Sequence, residues 1–265
     1  MLSPFSGSLA AQSKLPSTYL GFDRNQYPGD ENLKALRRTF AFAGFWLNNP
    51  PGEKQHEWKG KRPAVEVAGF GFLVLFNGRL YAQLKNQDNA LRMGERDAQE
   101  TVMSARGEGF PAQTIIFLDQ EEGGRMLPEQ RAYIHAWADG VTAAGYRAGV
   151  YCSGMGAQED SGGIVVTAED IRQNASGRKL TYFVTNDACP PSPGCTFSPH
   201  PPRPAASGMA FAEVWQFAQS PKRPDVAKAC ASNYSPNGKC YAPGTNLHVD
   251  VDAALSADPS RGRTR

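Results

Sequence analysis

Eight short apolar segments constrain the fold of this chain more than any other feature. Most are continuous rather than alternating in polarity, which is typical of parallel strands that are buried on both faces. Helix-forming stretches fill several of the gaps, so the alternation predicts an α/β fold, a TIM-type (β/α)8 barrel. The segments are residues 19–23, 43–48, 71–76, 114–121, 148–153, 180–185, 214–217 and 247–252.

The helical signals are strongest in the middle of the chain and fade towards its end. Apolar residues recur at helical spacing between residues 95 and 106, and Pro128 and Gly145 mark the start and the end of a longer helix. By contrast, residues 187–211 and 218–246 are rich in Pro, Gly, Ser and Asn. The barrel is therefore predicted to be irregular in its last third, with missing outer helices and long loops.

Length and composition favour one barrel domain. The 265 residues include 40% hydrophobic and 20% charged residues, and the formal net charge is only +2. This balance excludes a nucleic-acid partner, and no stretch is apolar for long enough to span a membrane. We expect a monomeric barrel over residues 19–255, a flexible N-terminal segment (1–18) and a basic C-terminal tail (256–265) that is frayed.

The five cysteines point to an oxidising compartment. Their spacing predicts short-range disulfides between Cys189 and Cys195 and between Cys230 and Cys240, whereas Cys152 lies in an apolar segment and is predicted to be a buried free thiol. A secreted or periplasmic protein is expected, although the N-terminus lacks the features of a secretory signal, which leaves the export route open. Reduced cysteines in a cytosolic chain are the alternative.

Two carboxylates stand two residues apart where the fourth apolar segment ends. Because side chains alternate across a strand, Asp119 and Glu121 are expected to project from the same side, with Cα atoms roughly 6.5–7 Å apart. Exposing two charges at the tip of a buried strand costs free energy unless the charges are paired or used. A hydrolytic acid pair is the functional interpretation.

Other chemistry-bearing residues follow the neighbouring strands, at the end of the barrel where active sites of this fold lie. Asp23 and Asp250 are the candidate carboxylates at the ends of the first and last strands. Aromatic and amide side chains interleave with them, as in a sugar-binding cleft. The candidate substrate-binding residues are Trp46, Asn48, Tyr151, Trp215 and Gln216.

This set of residues fits the cleavage of a glycosidic bond. One carboxyl group must give a proton to the leaving oxygen, and a second, ionised carboxylate must stabilise the cationic centre or activate the nucleophile. Glu121 is predicted to be the acid, since crowding by Asp119, Asp23 or Asp250 raises its pKa. An acetamido group of the substrate is an alternative nucleophile, which Asp119 would orient. No metal and no cofactor are required.

Five short motifs occur in an order that resembles the family 25 glycoside hydrolases, which are lysozyme-like muramidases. The chain is even more similar to a related glycoside-hydrolase-like domain of poorly defined activity. The resemblance covers roughly residues 19–254. The motifs are Gly21-Phe22-Asp23, Asp119-Gln120-Glu121, Gly149-Val150-Tyr151, Trp215-Gln216-Phe217 and Val249-Asp250-Val251-Asp252.

The resemblance implies a barrel with irregular final strands that cleaves the link between muramic acid and glucosamine without a metal. Glu121 matches the general acid, Asp119 its partner on the same strand, and Asp23 and Asp250 the carboxylates of the first and last strands. The segment 24–26, Arg-Asn-Gln, departs from the Val-Ser that is usual after the first aspartate. The predicted function is a glycoside hydrolase acting on a cell-wall glycan of the peptidoglycan type.

Several other interpretations remain open at this stage. Asp119 and Glu121 are structural if Arg24 or Arg125 pairs with them, and Asp250 is a helix cap if a terminal helix follows it. Together with His248, the carboxylates would suit Mg²⁺ or Ca²⁺ in a metal-dependent phosphodiesterase or deacetylase. The barrel would be a non-catalytic glycan-binding module if it kept its cleft and lost turnover.

Overall fold

A closed barrel of eight strands forms the centre of the molecule, which confirms the predicted fold class. The computed structural model describes residues 18–219 and 240–264. Two further strands, the sixth and seventh, form a separate hairpin. The strands are β1 (Tyr19–Asp23), β2 (Phe42–Trp46), β3 (Gly71–Asn77), β4 (Ile115–Asp119), β5 (Arg147–Ser153), β6 (Gly156–Gln158), β7 (Ile164–Val166), β8 (Thr181–Thr185), β9 (Val214–Ala218) and β10 (Asp250–Ala254).

The last strand differs from the prediction in both position and direction. Seven barrel strands are parallel, but β10 is antiparallel to both of its neighbours, β9 and β1. It begins at Asp250, three residues later than predicted, and no helix begins at Ala253, so Asp250 is not a helix cap. Because β10 runs in reverse, its first residue lies beside Asp23, the last residue of β1. The two predicted carboxylates therefore meet at the same end of the barrel.

The helices are α1 (Asp30–Leu36), α2 (Arg62–Val67), α3 (Tyr81–Leu84), α4 (Gln87–Glu108), α5 (Pro128–Ala143) and α6 (Thr167–Gln173). The longest two, α4 and α5, pack against each other beside β4. In the described residues after β8 there is one 3₁₀ turn, Pro204–Ser207, and no α-helix. The prediction of missing outer helices is confirmed there, whereas residues 220–239 of the predicted loops lie outside the described residues. None of the described helices is both long and apolar enough to cross a membrane.

The C-terminal tail is packed against the barrel, so the expectation of a frayed terminus is wrong. Ser260 is completely buried, its hydroxyl accepts a hydrogen bond from the β3 backbone, and its carbonyl accepts one from Ile115. Asp258 accepts the N–H of Phe72, and the buried guanidinium of Arg62 donates to the backbone further along the tail. These bonds fasten the tail across the starts of β3 and β4. The expected flexible segment 1–18 lies, apart from its last residue, outside the described residues.

Aromatic side chains fill the lower part of the barrel. By strand alternation, Phe42 and Phe117 point inward, and each occupies the space left by a glycine of a neighbouring strand, Gly21 and Gly149 respectively. A Cβ at either glycine would overlap the aromatic ring. The lower part of the barrel is thus densely filled by aromatic rings, and the carboxyl groups of these strands lie at the other end.

The disulfide pattern differs from the prediction. Cys195 is bonded to Cys240, with Cα atoms 5.4 Å apart, and joins the loop after β8 to the segment before β10. The predicted disulfides Cys189–Cys195 and Cys230–Cys240 are therefore both wrong. Cys230 itself lies outside the described residues. Proximity along the chain was misleading because the closed barrel brings the two distant loops together. Cys152 is a buried free thiol as predicted, and burial raises its pKa.

Candidate functional site

A small acidic cavity of about 120 Å³ lies at the end of the barrel where the parallel strands finish. It contains all four carboxylates that the sequence singled out as catalytic candidates. Aromatic and amide side chains complete its wall. The lining residues are Asp23, Asn25, Trp46, Leu75, Asp119, Glu121, Tyr151, Phe183, Gln216, Gln219 and Asp250.

The first pair of carboxyl groups in the cavity is Asp119 with Glu121. Asp119 is the last residue of β4 and is buried, whereas Glu121 lies in the following loop and is exposed. No donor group of the described residues reaches either carboxylate oxygen of Asp119, so its available partner is the carboxyl group of Glu121. Burial and the neighbouring charge of Glu121 raise the pKa of Asp119 well above its usual value. Asp119 therefore holds its proton more tightly than an ordinary aspartate, and Glu121 is the neighbouring carboxyl group that can accept it in a hydrogen bond.

A second carboxyl pair, Asp23 with Asp252, lies on the opposite side of the cavity. Asp252 is completely buried beneath Asp250, and its carboxylate oxygens also meet no donor group of the described residues. Burial and the charges of Asp23 and Asp250 raise the pKa of Asp252 well above its usual value. Each pair thus combines a deeply buried, protonated aspartate with a partner that lines the cavity.

Asp23 is the carboxylate that the protein holds most firmly. Its Oδ2 accepts a 2.9 Å hydrogen bond from the amide of Gln216, whose own oxygen accepts the hydroxyl of Tyr151 at 2.8 Å and the amide of Gln219 at 3.1 Å. Burial raises the pKa of Asp23 to about 6, although the hydrogen bonds from Gln216 and Asp252 oppose this increase. The carboxylate is consequently oriented, and it ionises near neutral pH.

Gly44, on the neighbouring strand β2, makes room for Asp23. A Cβ at this position would overlap the Cβ of Asp23 and crowd its backbone. The glycine is needed for close approach of the two strands and not for an unusual backbone angle. It was not among the predicted site residues, since a glycine in an apolar strand gives no sign of its neighbour across the sheet.

Burial also raises the pKa of Glu121, the one exposed member of the two pairs. The hydrogen bond from Asp119 acts in the opposite direction, because it stabilises the ionised form of Glu121. A carboxyl group whose pKa is raised by burial, and whose conjugate base is stabilised by a neighbour, can act as a general acid. The geometry is thus compatible with the role predicted for Glu121.

The predicted substrate-binding residues separate into three groups. Trp46, Tyr151 and Gln216 line the acidic cavity. Asn48 does not line this cavity. Its side-chain amide donates a hydrogen bond to the carbonyl of Asn77 and accepts one from the N–H of the same residue, and Asn48 lines a neighbouring groove. The assignment of Trp215 to the cleft is wrong. Since Gln216 faces into the barrel, strand alternation turns Trp215 outward, where it is completely buried.

The arginines proposed as structural partners of the acid pair bind elsewhere. Arg125 forms ion pairs with Glu159 and Asp170. Arg24 has no carboxylate oxygen of a described residue within 4.0 Å of its guanidinium group. Within residues 18–219 and 240–264, moreover, no group of three or more His, Cys, Asp or Glu side chains is arranged to hold a metal ion. The Mg²⁺ or Ca²⁺ site that was left open does not form among these residues.

Two larger grooves open on either side of the acidic cavity. One, of about 1000 Å³, shares Glu121 with the cavity and extends past Asn48 and Arg79 to the end of α4. The other, of about 420 Å³, shares Asn25 and Asp250 with the cavity. Both grooves therefore adjoin the cavity that contains the carboxyl pairs.

Two residues of this site were not predicted as such. Asp252 belongs to the last motif of the family resemblance but was given no catalytic role, although its spacing of two from Asp250 is the signal that both face the barrel interior. Asn25 borders both the cavity and the smaller groove. It follows the β1 carboxylate by two residues, so a search of the whole strand-end segment would have found it.

The sequence matches the model of a known family over residues 53–190, just over half of the chain. That family is described as the Rv2525c-like, glycoside hydrolase-like domain. No curated protein matches the chain in sequence.

Several solved structures share the fold at low sequence identity. An uncharacterised protein of B. stearothermophilus has a TM-score of 0.59 and 20% identity, over 89% of this chain and 95% of the other. The Tat-secreted protein Rv2525c of Mycobacterium tuberculosis, in complex with L-tartrate, has a TM-score of 0.54 and 14% identity, over 91% and 96% of the two chains. The catalytic domain of the endolysin ply40, from bacteriophage P40 of Listeria monocytogenes, has a TM-score of 0.53 and 14% identity, over 93% and 98%. At such identities the similarity shows the fold alone.

Proposed function

The chain belongs to the family of Rv2525c-like, glycoside hydrolase-like domains, and from this premise we propose that it is a glycoside hydrolase acting on a cell-wall glycan of the peptidoglycan type. The proposal rests on one observation. Two carboxyl pairs, Asp119 with Glu121 and Asp23 with Asp252, lie at the same cavity. The endolysin catalytic domain that shares the fold supports the choice of substrate. More specifically, we propose the activity of the family 25 glycoside hydrolases, which is cleavage of the link between muramic acid and glucosamine.

Glu121 is the general acid in this mechanism. It faces both the cavity and the larger groove, so the leaving oxygen of a bound glycan can reach it. When Glu121 gives its proton to that oxygen, the hydrogen bond from protonated Asp119 stabilises the carboxylate left behind. Asp119 thereby favours the proton transfer without losing its own proton.

Asp23 is the second carboxylate. In its ionised form it stabilises the positive charge that develops at the sugar carbon when the glycosidic bond breaks. A water molecule then adds to that carbon and gives a proton back to Glu121, so the bond is hydrolysed and the acid is restored. Gln216 and Tyr151 hold it in place, and the proton of Asp252 offsets part of the cost of its burial. Asp250 adds negative charge at the edge of the same cavity.

The open cleft supports a polymeric substrate. A closed pocket would accept only a chain end, whereas grooves on both sides of the carboxyl pairs leave room for sugar units before and after the cleaved bond. We also propose a location outside the cytoplasm. The Cys195–Cys240 disulfide is typical of oxidising compartments, and the mycobacterial protein of the same fold is Tat-secreted.

The decisive experiment measures the release of reducing ends from purified peptidoglycan, chitin and other polysaccharides. Wild-type protein is expected to release reducing ends from peptidoglycan. Glu121→Gln is expected to lower the rate by at least about 100-fold, as for the loss of a general acid, while binding and thermal stability persist. Glu95→Gln, on the outer face of α4, is the matched control and should behave as wild type.

Three outcomes would contradict the proposal. Binding without release across all the polysaccharides would favour a non-catalytic glycan-binding module. Full activity in Glu121→Gln would remove Glu121 from the role of acid. Activity that disappears with a chelator would instead favour metal-dependent chemistry.

A further inference from the structure

The smaller groove contains an arginine that has no ion-pair partner among the described residues. It lies beyond Asp250, and its wall is made of the segment after β1 and the segment before β10. Arg24 is the only lysine or arginine among its described lining residues. The full lining is Arg24, Asn25, Gln26, Asn246, Leu247, His248, Val249 and Asp250.

The guanidinium of Arg24 is half-buried and weakly compensated. Its Nε atom is buried without an acceptor among the described residues, and one Nη donates to the neutral amide oxygen of Gln26 at 3.2 Å. Burial lowers the pKa of Arg24, although the charges of Glu57 and Glu53 oppose this effect from a distance. Arginine nevertheless remains protonated at any physiological pH, so a positive charge persists on the wall of the groove.

The nearby carboxylates are engaged by other groups. Glu57 accepts the backbone N–H of Tyr27, and Glu53 accepts the side-chain amide of Gln26. Neither comes within 4.0 Å of the Arg24 guanidinium, so no ion pair forms among the described residues. Among the described residues, Arg24 thus has a donor without an acceptor and no ion-pair partner, and its groove shares lining residues with the acidic cavity.

We propose that Arg24 selects glycans that carry an ionised carboxylate on the sugar unit bound beside Asp250. The planar guanidinium group presents two parallel N–H donors, a geometry that matches a carboxylate better than a hydroxyl group. The groove shares Asn25 and Asp250 with the acidic cavity, so a sugar unit bound there is adjacent to the bond that is cleaved. This inference rests on the proposed glycoside hydrolase function and names the charge of its substrate.

A single carboxylate suits the groove better than a more highly charged group. Asp250 lines the same groove, and the carboxylates of Glu53 and Glu57 act on Arg24 from the other side. A phosphate monoester, which carries up to two negative charges, would meet these carboxylates with greater repulsion. The carboxylate can be the free lactyl group of a muramic-type sugar without its peptide or that of a uronic acid, which share the same chemistry.

The test compares a native glycan with the same glycan after its carboxylates have been reduced to alcohols. Peptidoglycan strands freed of their peptides, whose lactyl carboxylates are ionised, and an alternating glucuronate–N-acetylglucosamine polymer distinguish the two sources of carboxylate, and chitin oligosaccharides are the neutral reference. Arg24→Gln removes the charge, and Arg24→Lys keeps the charge without the planar fork. Arg92→Gln, on the exposed face of α4, is the matched control. Binding by calorimetry and initial rates are both measured.

Wild-type protein is expected to prefer the native over the reduced glycan by about 10- to 100-fold in Kd and KM, the range of a charged hydrogen bond. Arg24→Gln should lose this preference with little change in kcat, and Arg24→Lys should recover part of it. The neutral oligosaccharides should be unaffected by either substitution.

Equal affinity of wild-type protein for native and reduced glycans would overturn the inference, as would an Arg24→Gln defect of the same size on neutral oligosaccharides. Failure of the proposed function is a separate result. If no glycan is hydrolysed, the calorimetric preference for the native carboxylate still decides the role of Arg24. Absence of binding to every carboxylated glycan in the millimolar range would reject both.

Discussion

Two regions of this molecule place buried aspartates in opposite environments, one with hydrogen-bond donors and one without them. In the helical layer, Asp97 is completely buried and accepts a bidentate ion pair from Arg79 and the hydroxyl of Tyr133. Inside the barrel, Asp119 and Asp252 are just as buried but meet no donor group of the described residues. The first arrangement stabilises an ionised carboxylate, and the second makes ionisation costly.

This difference indicates which acids support the fold and which serve the site. A fold-supporting carboxylate needs donors that satisfy its charge. The barrel aspartates instead hold protons, and each shares its proton with a carboxylate that lines the cavity. Two half-neutralised pairs can face each other in a small volume, whereas four ionised carboxylates would repel strongly.

The largest effect is expected at Asp23. Asp23→Asn keeps a hydrogen-bond acceptor for Gln216 but removes the negative charge that would stabilise the developing cation. Turnover of the glycan identified in the substrate survey should decrease by about 1,000-fold, with little loss of binding. Asp139→Asn, in an exposed ion pair on the outer surface, is the control. An Asp23→Asn variant that retained most of its turnover would remove this carboxylate from the mechanism.

The next effect concerns the helical layer. Asp97→Asn should decrease the free energy of unfolding by about 3 kcal/mol, because the partly buried charge of Arg79 loses its partner. Chemical denaturation measures this change. The specific activity of the folded fraction should persist, since Asp97 does not line the cavity. A loss of activity without a loss of stability would contradict the assignment of Asp97 to the fold.

A pH dependence follows from the barrel acids. The pKa of Asp23 is raised from 3.8 to about 6, so the folded state binds protons more tightly than the unfolded state. Its contribution to stability is therefore complete below pH 3.8 and is lost as the pH rises to about 6. The loss amounts to up to about 3 kcal/mol. Asp119 and Asp252 act in the same direction over a wider range, because their pKa values are also raised.

The contribution of Asp23 is isolated by measuring the free energy of unfolding of the wild-type protein and of Asp23→Asn at pH 4.5 and at pH 6.5. The wild type should lose more free energy of unfolding between the two pH values than the variant does. The exposed Asp30 has a lowered pKa and acts in the opposite sense, but it does so equally in both proteins. Identical pH profiles would mean that Asp23 is ionised in the folded state at low pH.

The smallest effect should come from Asp252→Asn. An amide replaces a carboxyl group that is already protonated, and it can still donate a hydrogen bond to Asp23. The free energy of unfolding should change by less than about 1 kcal/mol near neutral pH, in contrast to the same substitution at Asp97. A loss as large as that of Asp97→Asn would show that Asp252 is ionised, and the contrast between the two regions would fail.

The barrel and most of its catalytic candidates follow from local patterns. Continuous apolar runs predict buried parallel strands, and the position of a residue at the end of such a run places Asp23 and Asp119 at one end of the barrel. Alternation along β4 and the following loop correctly predicts that Asp119 and Glu121 face the same cavity. These features depend on the alternation of side chains along a strand and on the length of each apolar segment. Both are determined by residues that are close together in the sequence.

Features that depend on contacts between distant segments could not be read in this way. The reversed direction of β10, the Cys195–Cys240 bond and the packed tail are each decided by which segments meet after the barrel has closed. The outward orientation of Trp215 has the same origin, because a shift of one residue exchanges the two faces of a strand. Because both faces of such a strand are apolar, its sequence does not show which face points into the barrel.

By itself, the sequence determined that this chain forms an α/β barrel and that an aspartate and a glutamate lie at the end of its fourth strand. Only the tertiary structure decided that Asp252 lies against Asp23, that each pair shares a proton, and that Arg24 remains without an ion-pair partner among the described residues. The physical reason is that protonation and charge compensation depend on burial and on neighbours across the barrel. Those neighbours come from opposite ends of the chain.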